Sequence, residues 1–174
     1  MGVTNGFLKL SQDEFQQLCG DQNAFEKRLR DVHDGDSDDY LYMDKAGPEL
    51  LFLMIDTESE LSQGVRALYP HILTVLGGDG ELGPGLQVFP DEDIFPNVDM
   101  GYGPARMVHQ NALRNSIKEF DNLDYDTMHA LAMDSDVIAD YNKEEFRDYD
   151  WEYLKALGEF VKDAVAKKLV VLRY

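Results

Sequence analysis

Residues 150–168 form the segment that most constrains the fold, because apolar side chains recur there at the spacing of one helix face. Charged side chains occupy the opposite face, so the segment predicts a long amphipathic helix. Such a helix is stable in water mainly when its apolar stripe packs against other apolar groups. The stripe comprises Tyr153, Leu154, Leu157, Phe160, Val161, Ala164 and Val165. We therefore expect a packed domain that contains this helix.

Strands and shorter helices precede this segment. Ser11 and Glu14 have the spacing of a reciprocal capping box, and His109 and Asp124 stand at N-cap positions. Helices are expected to begin at Ser11, Asp21, Pro48, Gln110, Asp124 and Asp150, with a short one at 65–69, and extended segments are expected at 3–10, 40–43, 72–76, 86–89, 105–108 and 169–172. The chain thus predicts an α+β fold. We expect one domain over residues 1–174, with a small mixed sheet, several helices, a long C-terminal amphipathic helix and a terminal strand.

The charge balance excludes several classes of partner. The chain has 34 Asp and Glu residues against 16 Lys and Arg residues, which gives a net charge of −18. Such a surface repels phosphate groups, so we expect neither nucleic acid nor an anionic membrane as a partner. The hydrophobic fraction of 44% is too high for a disordered acidic chain.

The single cysteine and the lack of signal-peptide features in the first residues predict a cytoplasmic protein. Cys19 is the single cysteine, so no intrachain disulfide forms, and its neighbours Phe15 and Leu18 favour a packed thiol over a nucleophile. The first residues lack the features of a signal peptide, and no apolar run reaches the roughly 20 residues that span a bilayer.

Two motifs resemble ligand-binding sites, but each lacks a residue or a helix that such a site requires. Residues 34–39 resemble the start of a calcium loop, yet the sixth position is Asp39 instead of Gly and the twelfth is Lys45 instead of Glu. Residues 78–83 match G-x-G-x-x-G, but Pro84 follows and no helical pattern does. A solvated acidic turn and a loop are the better interpretations.

The four histidines, His33, His71, His109 and His129, share no spacing that suits zinc. One of them could pair with a distant Asp as a general base, although a structural role is favoured for each. Neither a metal nor an organic cofactor is expected.

Residues 101–106 form the densest special segment, and they are Gly101, Tyr102, Gly103, Pro104, Ala105 and Arg106. The glycines permit unusual backbone angles and Pro104 restricts them. Two interpretations stay open for Arg106: it ties down carboxylates within a shaped loop, or it holds an anion in a pocket.

This segment, followed by a helix and then by a terminal helix and strand, resembles the YfbM-like family of bacterial proteins, a domain of unknown function. The strand Phe-Leu-Lys-Leu at 7–10, the strand and helix at 40–55, and Val-Leu-Gly-Gly at 75–78 also resemble it. The acidic stretch 91–99 and His109-Gln110 depart from the family pattern. The resemblance implies a compact α+β fold and no catalytic residues. Some proteins similar to this family are encoded as partners of bacterial toxins.

Three acidic clusters with aromatic neighbours suggest a surface for a basic protein. The candidate contact residues are Asp34, Asp36, Asp38 and Asp39, then Asp91, Glu92, Asp93 and Phe95, and finally Glu144, Glu145, Asp148 and Tyr149. We therefore expect a non-enzymatic immunity-type protein that binds a cationic toxin domain, itself directed at nucleic acid or nucleotides. It would exist as a monomer or as a heterodimer with that partner.

Two other functions stay open. The chain could be an enzyme of unknown reaction that uses the glycine-rich groove around residues 77–106, or an adaptor that has no toxin partner. A concave pocket with convergent polar groups would favour the enzyme.

Overall fold

The structure is a computed structural model that describes residues 6–19, 21–35, 37–43, 50, 54, 59–77, 92–93, 106–134, 146 and 149–173, with backbone alone at 92, 93 and 106. The strands in the described ranges are β1 (Gly6–Leu10), β2 (Tyr40–Tyr42), β3 (Glu92–Asp93), β4 (Arg106–Met107) and β5 (Val170–Arg173). The helices are α1 (Gln12–Leu18), α2 (Gln22–His33), α3 (Glu60–Leu68), α4 (Pro70–Leu76), α5 (Gln110–Asp121), α6 (Tyr125–Asp134) and α7 (Asp150–Ala166). The fold is α+β, as the sequence predicts.

The five strands form one sheet in the order β2-β1-β5-β4-β3. Each of the four pairings is antiparallel, which refines the mixed sheet expected from the sequence. β1 and the C-terminal strand β5 are neighbours near the middle, with Leu8 opposite Leu172. β2 and β3 are therefore the two edge strands.

Helices cover both faces of the sheet, which explains why all five residues of β1 are buried. Leu8 and Leu10 pack with Phe25 and Leu29 of α2 on one face. Phe7 faces the other side, where its ring lies 6.4 Å from Phe160 of α7. The long amphipathic helix predicted at 150–168 is thus α7, and its apolar stripe packs on the sheet.

Lys9 is a charged residue buried between the sheet and α7, with only 4% of its surface exposed. It points from β1 toward α7, where its Nζ atom lies 2.7 Å from Oδ2 of Asp163 and 4.5 Å from the centroid of the Phe160 ring. The carboxylate and the ring face compensate the ammonium group for its loss of water.

One predicted element is wrong in type. Residues 72–76 are expected to be extended, but they belong to α4. A short apolar run has the same composition in a buried strand and in a buried helix, so periodicity alone does not separate them. Pro70 stands in the first turn, and Gly77 ends the helix with a φ of 104° in the left-handed region.

The predicted helix caps are confirmed. Ser11 and Glu14 form the reciprocal capping box of α1. The side chain of His109 accepts a hydrogen bond from the backbone of Asn111, and that of Asp124 accepts one from the backbone of Thr127. Local sequence is enough to place these helix starts, because each cap is made by residues two or three positions apart.

Two further expectations fall largely or wholly outside the described residues. Leu50 and Met54 are helical and buried, as predicted for the helix at 48–55. The rest of that helix and the strand expected at 86–89 are outside. None of the helices that the structure describes combines the length and the apolarity needed to cross a membrane.

Candidate partner-binding surface

The structure describes part of each predicted acidic cluster. Asp34, Asp38, Asp39 and Tyr149 are described in full, and Glu92, Asp93 and Arg106 by their backbone. The remaining candidates lie outside the described residues: Asp36, Asp91, Phe95, Glu144, Glu145, Asp148 and the signature residues 101–105.

The first cluster is a turn that leads from α2 into the edge strand β2. Ser37 shapes it, because its hydroxyl oxygen accepts a hydrogen bond from Asp39 N at 3.2 Å and its carbonyl accepts one from Tyr40 N at 3.2 Å. Lys9 N donates to the carbonyl of Asp39 at 2.7 Å, which anchors the turn to β1. Asp34 and Asp38 are left exposed.

Asp39 has a different role from its two neighbours. Its Oδ2 atom lies 3.5 Å from Nη2 of Arg28, and the same Arg28 nitrogen lies 3.8 Å from Glu14. This partly buried arginine therefore links the turn to α1 and α2. Asp39 therefore stabilises the turn, whereas Asp34 and Asp38 are exposed to solvent.

Three contacting aromatic rings lie beside the turn. Tyr40 and Tyr42 are two residues apart on β2, so they share one face of the strand. Their ring centroids are 6.4 Å apart, and the His33 ring at the end of α2 lies 6.0 Å from Tyr40 and 6.2 Å from Tyr42. Tyr42 is 40% exposed. We name His33, Asp34, Asp38, Tyr40 and Tyr42 the edge surface.

The second acidic cluster lies at the other edge of the sheet. Glu92 and Asp93 form β3, which pairs with β4 so that Asp93 is opposite Arg106. Four strand spacings separate β2 from β3, a width of about 19 Å. The first two clusters are therefore separate surfaces of the sheet.

Two residues beside the third cluster belong to the interior. Asp150 is only 1% exposed and Phe146 is fully buried. Phe146 packs near Tyr125 and His129. Tyr149 is half-buried and packs edge-on against Tyr153 at 4.9 Å.

A histidine and a carboxylate meet where the sequence shows no signal. His71 Nδ1 lies 2.5 Å from Oε1 of Glu119, and Asn115 Nδ2 lies 3.4 Å from His71 Nε2. The same carboxylate accepts the backbone N–H groups of His71 and of Ile72, the latter at 2.8 Å. Glu119 thus caps the first turn of α4 from another helix, so its main role is structural. The two partners are 48 positions apart in the sequence, which explains why sequence spacing missed the pair.

The two lysines of α7 and Lys167 at its C-terminal end are paired with nearby carboxylates. Lys155 pairs with Glu152 at 2.7 Å, Lys162 with Asp121 at 2.9 Å, and Lys167 with Asp163 at 2.8 Å. Hydrogen bonds to Asp121 and Glu159 raise the pKa of Lys162, and the bond to Asp163 raises the pKa of Lys167.

Two open grooves flank this helix, with volumes of about 540 and 490 Å³. The larger is lined by Trp151, Phe120 and the paired Lys162, and the smaller by Phe160 and the Lys9–Asp163–Lys167 network. Because their charged groups pair with one another, neither groove concentrates charge of one sign.

Cys19 differs from its expectation, because it is exposed at the end of α1. Partial desolvation nevertheless raises the pKa of its thiol, which disfavours the nucleophilic thiolate. Within the described ranges, no three His, Cys, Asp or Glu side chains converge in a way that could hold a metal ion.

Comparison with protein families finds a match over the whole sequence. The family model described as a domain of unknown function, DUF1877, matches residues 1–174. No curated protein and no solved structure matches the chain.

Proposed function

The chain belongs to the DUF1877 family of unknown function, and from that premise we propose that it binds a basic protein through the edge surface. The observation that carries this proposal is the juxtaposition of exposed carboxylates with the exposed rings of Tyr42 and His33. Asp34 has 86% of its side chain exposed, and it adjoins the ring group of His33, Tyr40 and Tyr42.

The charge supports a cationic partner. Net charge of −18 accelerates association with a positive protein and repels other acidic proteins. Aromatic side chains beside carboxylates contribute contact area that excludes water, and such residues dominate the energetics of many interfaces. The edge surface is the described region in which both features meet in exposed positions.

The finer proposal is that the partner is a toxin domain and that binding inhibits it. Enzymes that act on nucleic acid or nucleotides have positive clefts, and an acidic protein can block such a cleft. Two considerations support this choice. One is the negative charge of the chain, and the other is its sequence likeness to the YfbM-like family. Some proteins that resemble that family are encoded as partners of bacterial toxins. The inhibitor acts stoichiometrically and catalyses no reaction.

A matched pair of charge reversals tests the surface. One variant is Asp34→Lys with Asp38→Lys, and its control is Asp126→Lys with Asp134→Lys on α6, where both aspartates are also exposed. Each substitution raises the charge by two, so both double variants have −14 instead of −18. A pull-down uses the full chain against the product of the gene immediately upstream, and stopped-flow measurements give the association rate.

The expected result is a stable complex whose association rate falls steeply with salt and whose affinity drops at least tenfold in the edge variant alone. Equal losses in both variants would leave an acidic binding protein but would contradict the edge surface. A complex with a protein that has no toxic activity would favour the adaptor. If the chain neither protects cells from the upstream gene product nor binds any basic protein, the proposal is wrong.

A further inference from the structure

We propose that the edge surface recognises arginine: a guanidinium group of the partner lies on the exposed ring of Tyr42 and pairs with the carboxylate of Asp34. This inference rests on the proposed function and specifies the chemistry of its partner. It goes beyond net charge, because a charge of −18 attracts lysine and arginine alike.

The first step is the exposure of an aromatic face. Tyr42 is the more exposed tyrosine of β2, with 40% of its surface accessible at an edge of the sheet. The planes of Tyr40 and Tyr42 differ by only 23°, so the two rings lie almost parallel. The exposed ring of Tyr42 therefore offers a face on which a planar group can stack.

The second step is the position of the charge. The His33 ring lies 6.2 Å from that of Tyr42, and His33 Nδ1 lies 4.0 Å from Oδ1 of Asp34. Both the tyrosine ring and the carboxylate therefore adjoin the same imidazole. Asp38 adds a second exposed carboxylate on the turn that precedes β2.

The third step is the difference between the two basic side chains. A guanidinium group is flat and weakly hydrated, so it can stack on a ring while its N–H groups bond a carboxylate. An ammonium group is compact and strongly hydrated, and it gains less from a ring that remains partly in water. The combination of ring and carboxylate therefore selects arginine.

Packing against the core holds the ring group in position. Tyr40 packs against the apolar cluster of Leu8, Phe25 and Leu29, which holds the near end of the ring group in place. A partner side chain thus meets a surface whose rings are already positioned, which lowers the entropic cost of binding.

The test uses hexa-arginine and hexa-lysine peptides as probes, titrated separately into the full chain at low salt. Amide NMR shifts locate the bound peptide, and calorimetry gives the dissociation constant. The variants are Tyr42→Phe, which keeps the ring, Tyr42→Leu, which removes it, and Asp34→Asn, which removes the charge. Thermal melting confirms that each variant is folded.

We expect hexa-arginine to shift the amides of residues 33–42 and to bind several-fold more tightly than hexa-lysine. Tyr42→Leu should weaken hexa-arginine binding about 2- to 5-fold, and Tyr42→Phe should leave it unchanged. Asp34→Asn should weaken it further.

Three outcomes would overturn the inference. Equal affinity for the two peptides, or equal effects of the Leu and Phe variants, would remove the ring from recognition while leaving an acidic contact surface. Shifts centred on other acidic residues would move the partner to another site and would contradict the edge surface as well. Binding of neither peptide at any residue would contradict both this inference and the proposed function.

Discussion

At the scale of single residues, the carboxylate of Glu119 holds together two helices that are far apart in sequence. Glu119 joins α5 to the start of α4, and its side chain is only 11% exposed. Its two oxygens accept two backbone N–H groups and contact the His71 ring. A carboxylate suits this position because it accepts at both oxygens, whereas an amide accepts at one.

Replacing Glu119 by Ala should therefore lower the free energy of unfolding by about 1–3 kcal/mol, because the partly buried backbone N–H groups of His71 and Ile72 lose their acceptor. Urea denaturation followed by circular dichroism measures the change. Asp134→Ala serves as the control, since Asp134 is exposed on α6 and should change stability by less than about 0.5 kcal/mol. Similar values for the two variants would contradict the capping role.

Asp163 predicts a pH dependence. Hydrogen bonds from Lys167 and then Lys9 lower the pKa of this carboxyl group below its ordinary value. Its contribution to stability is complete above the unfolded-state pKa of about 3.9 and is lost as the pH falls through the lower folded-state pKa.

The stability difference between the wild type and Asp163→Asn should then be constant from about pH 7 to pH 5 and should shrink below about pH 4. Urea denaturation at pH steps from 7 to 2.5 follows this difference, provided that both proteins unfold in two states. A difference that persists unchanged at the lowest pH would show that the charge of Asp163 is not its source.

At the scale of elements, the packing of α5 on α7 depends on a glycine. A methyl group at Gly158 would lie 3.0–3.3 Å from atoms of Phe120, closer than ordinary contact. Gly64 in α3 offers the opposite case, because nothing lies within 4 Å of a methyl group there. The two positions separate helix propensity from packing.

We expect Gly64→Ala to stabilise the protein by about 0.4–1 kcal/mol through the lower entropy of the unfolded chain. Gly158→Ala gains the same propensity but should be net destabilising, about 1–3 kcal/mol less favourable than Gly64→Ala, because Phe120 must move. Thermal or urea denaturation compares the pair. Equal stabilisation by both would mean that the two helices adjust without cost.

Some helices could be predicted from local sequence patterns alone, and one could not. Ser11 and Glu14 predict the start of α1, and the stripe from Tyr153 to Val165 predicts α7, because both signals are local. Residues 72–76 were assigned the wrong type, since an apolar run that is buried all round has no periodicity to read. The side chain that caps the first turn of this helix is Glu119, which lies on α5 and is 47 positions from Ile72.

At the scale of the whole molecule, the excess of 34 acidic over 16 basic residues repels itself in the folded state. Salt screens this repulsion, and it also weakens the ion pairs of α7. The pairs on α7 are mostly exposed, and exposed pairs contribute little. The melting temperature should therefore rise by a few degrees between 10 and 300 mM NaCl, as scanning calorimetry would measure. A fall over the same range would show that the ion pairs outweigh the repulsion.

Composition and local sequence are enough to establish the α+β class, the local helix caps, the amphipathic helix α7 and the acidic character of the surface. These properties depend on composition and on residues within a few positions of one another. The tertiary structure sets which carboxylates are available. It buried Asp150, paired Asp39 with Arg28, left Asp34 and Asp38 exposed and brought His33 to the tyrosines of β2. Exposure and pairing depend on what packs against each side chain, and those neighbours come from distant parts of the chain.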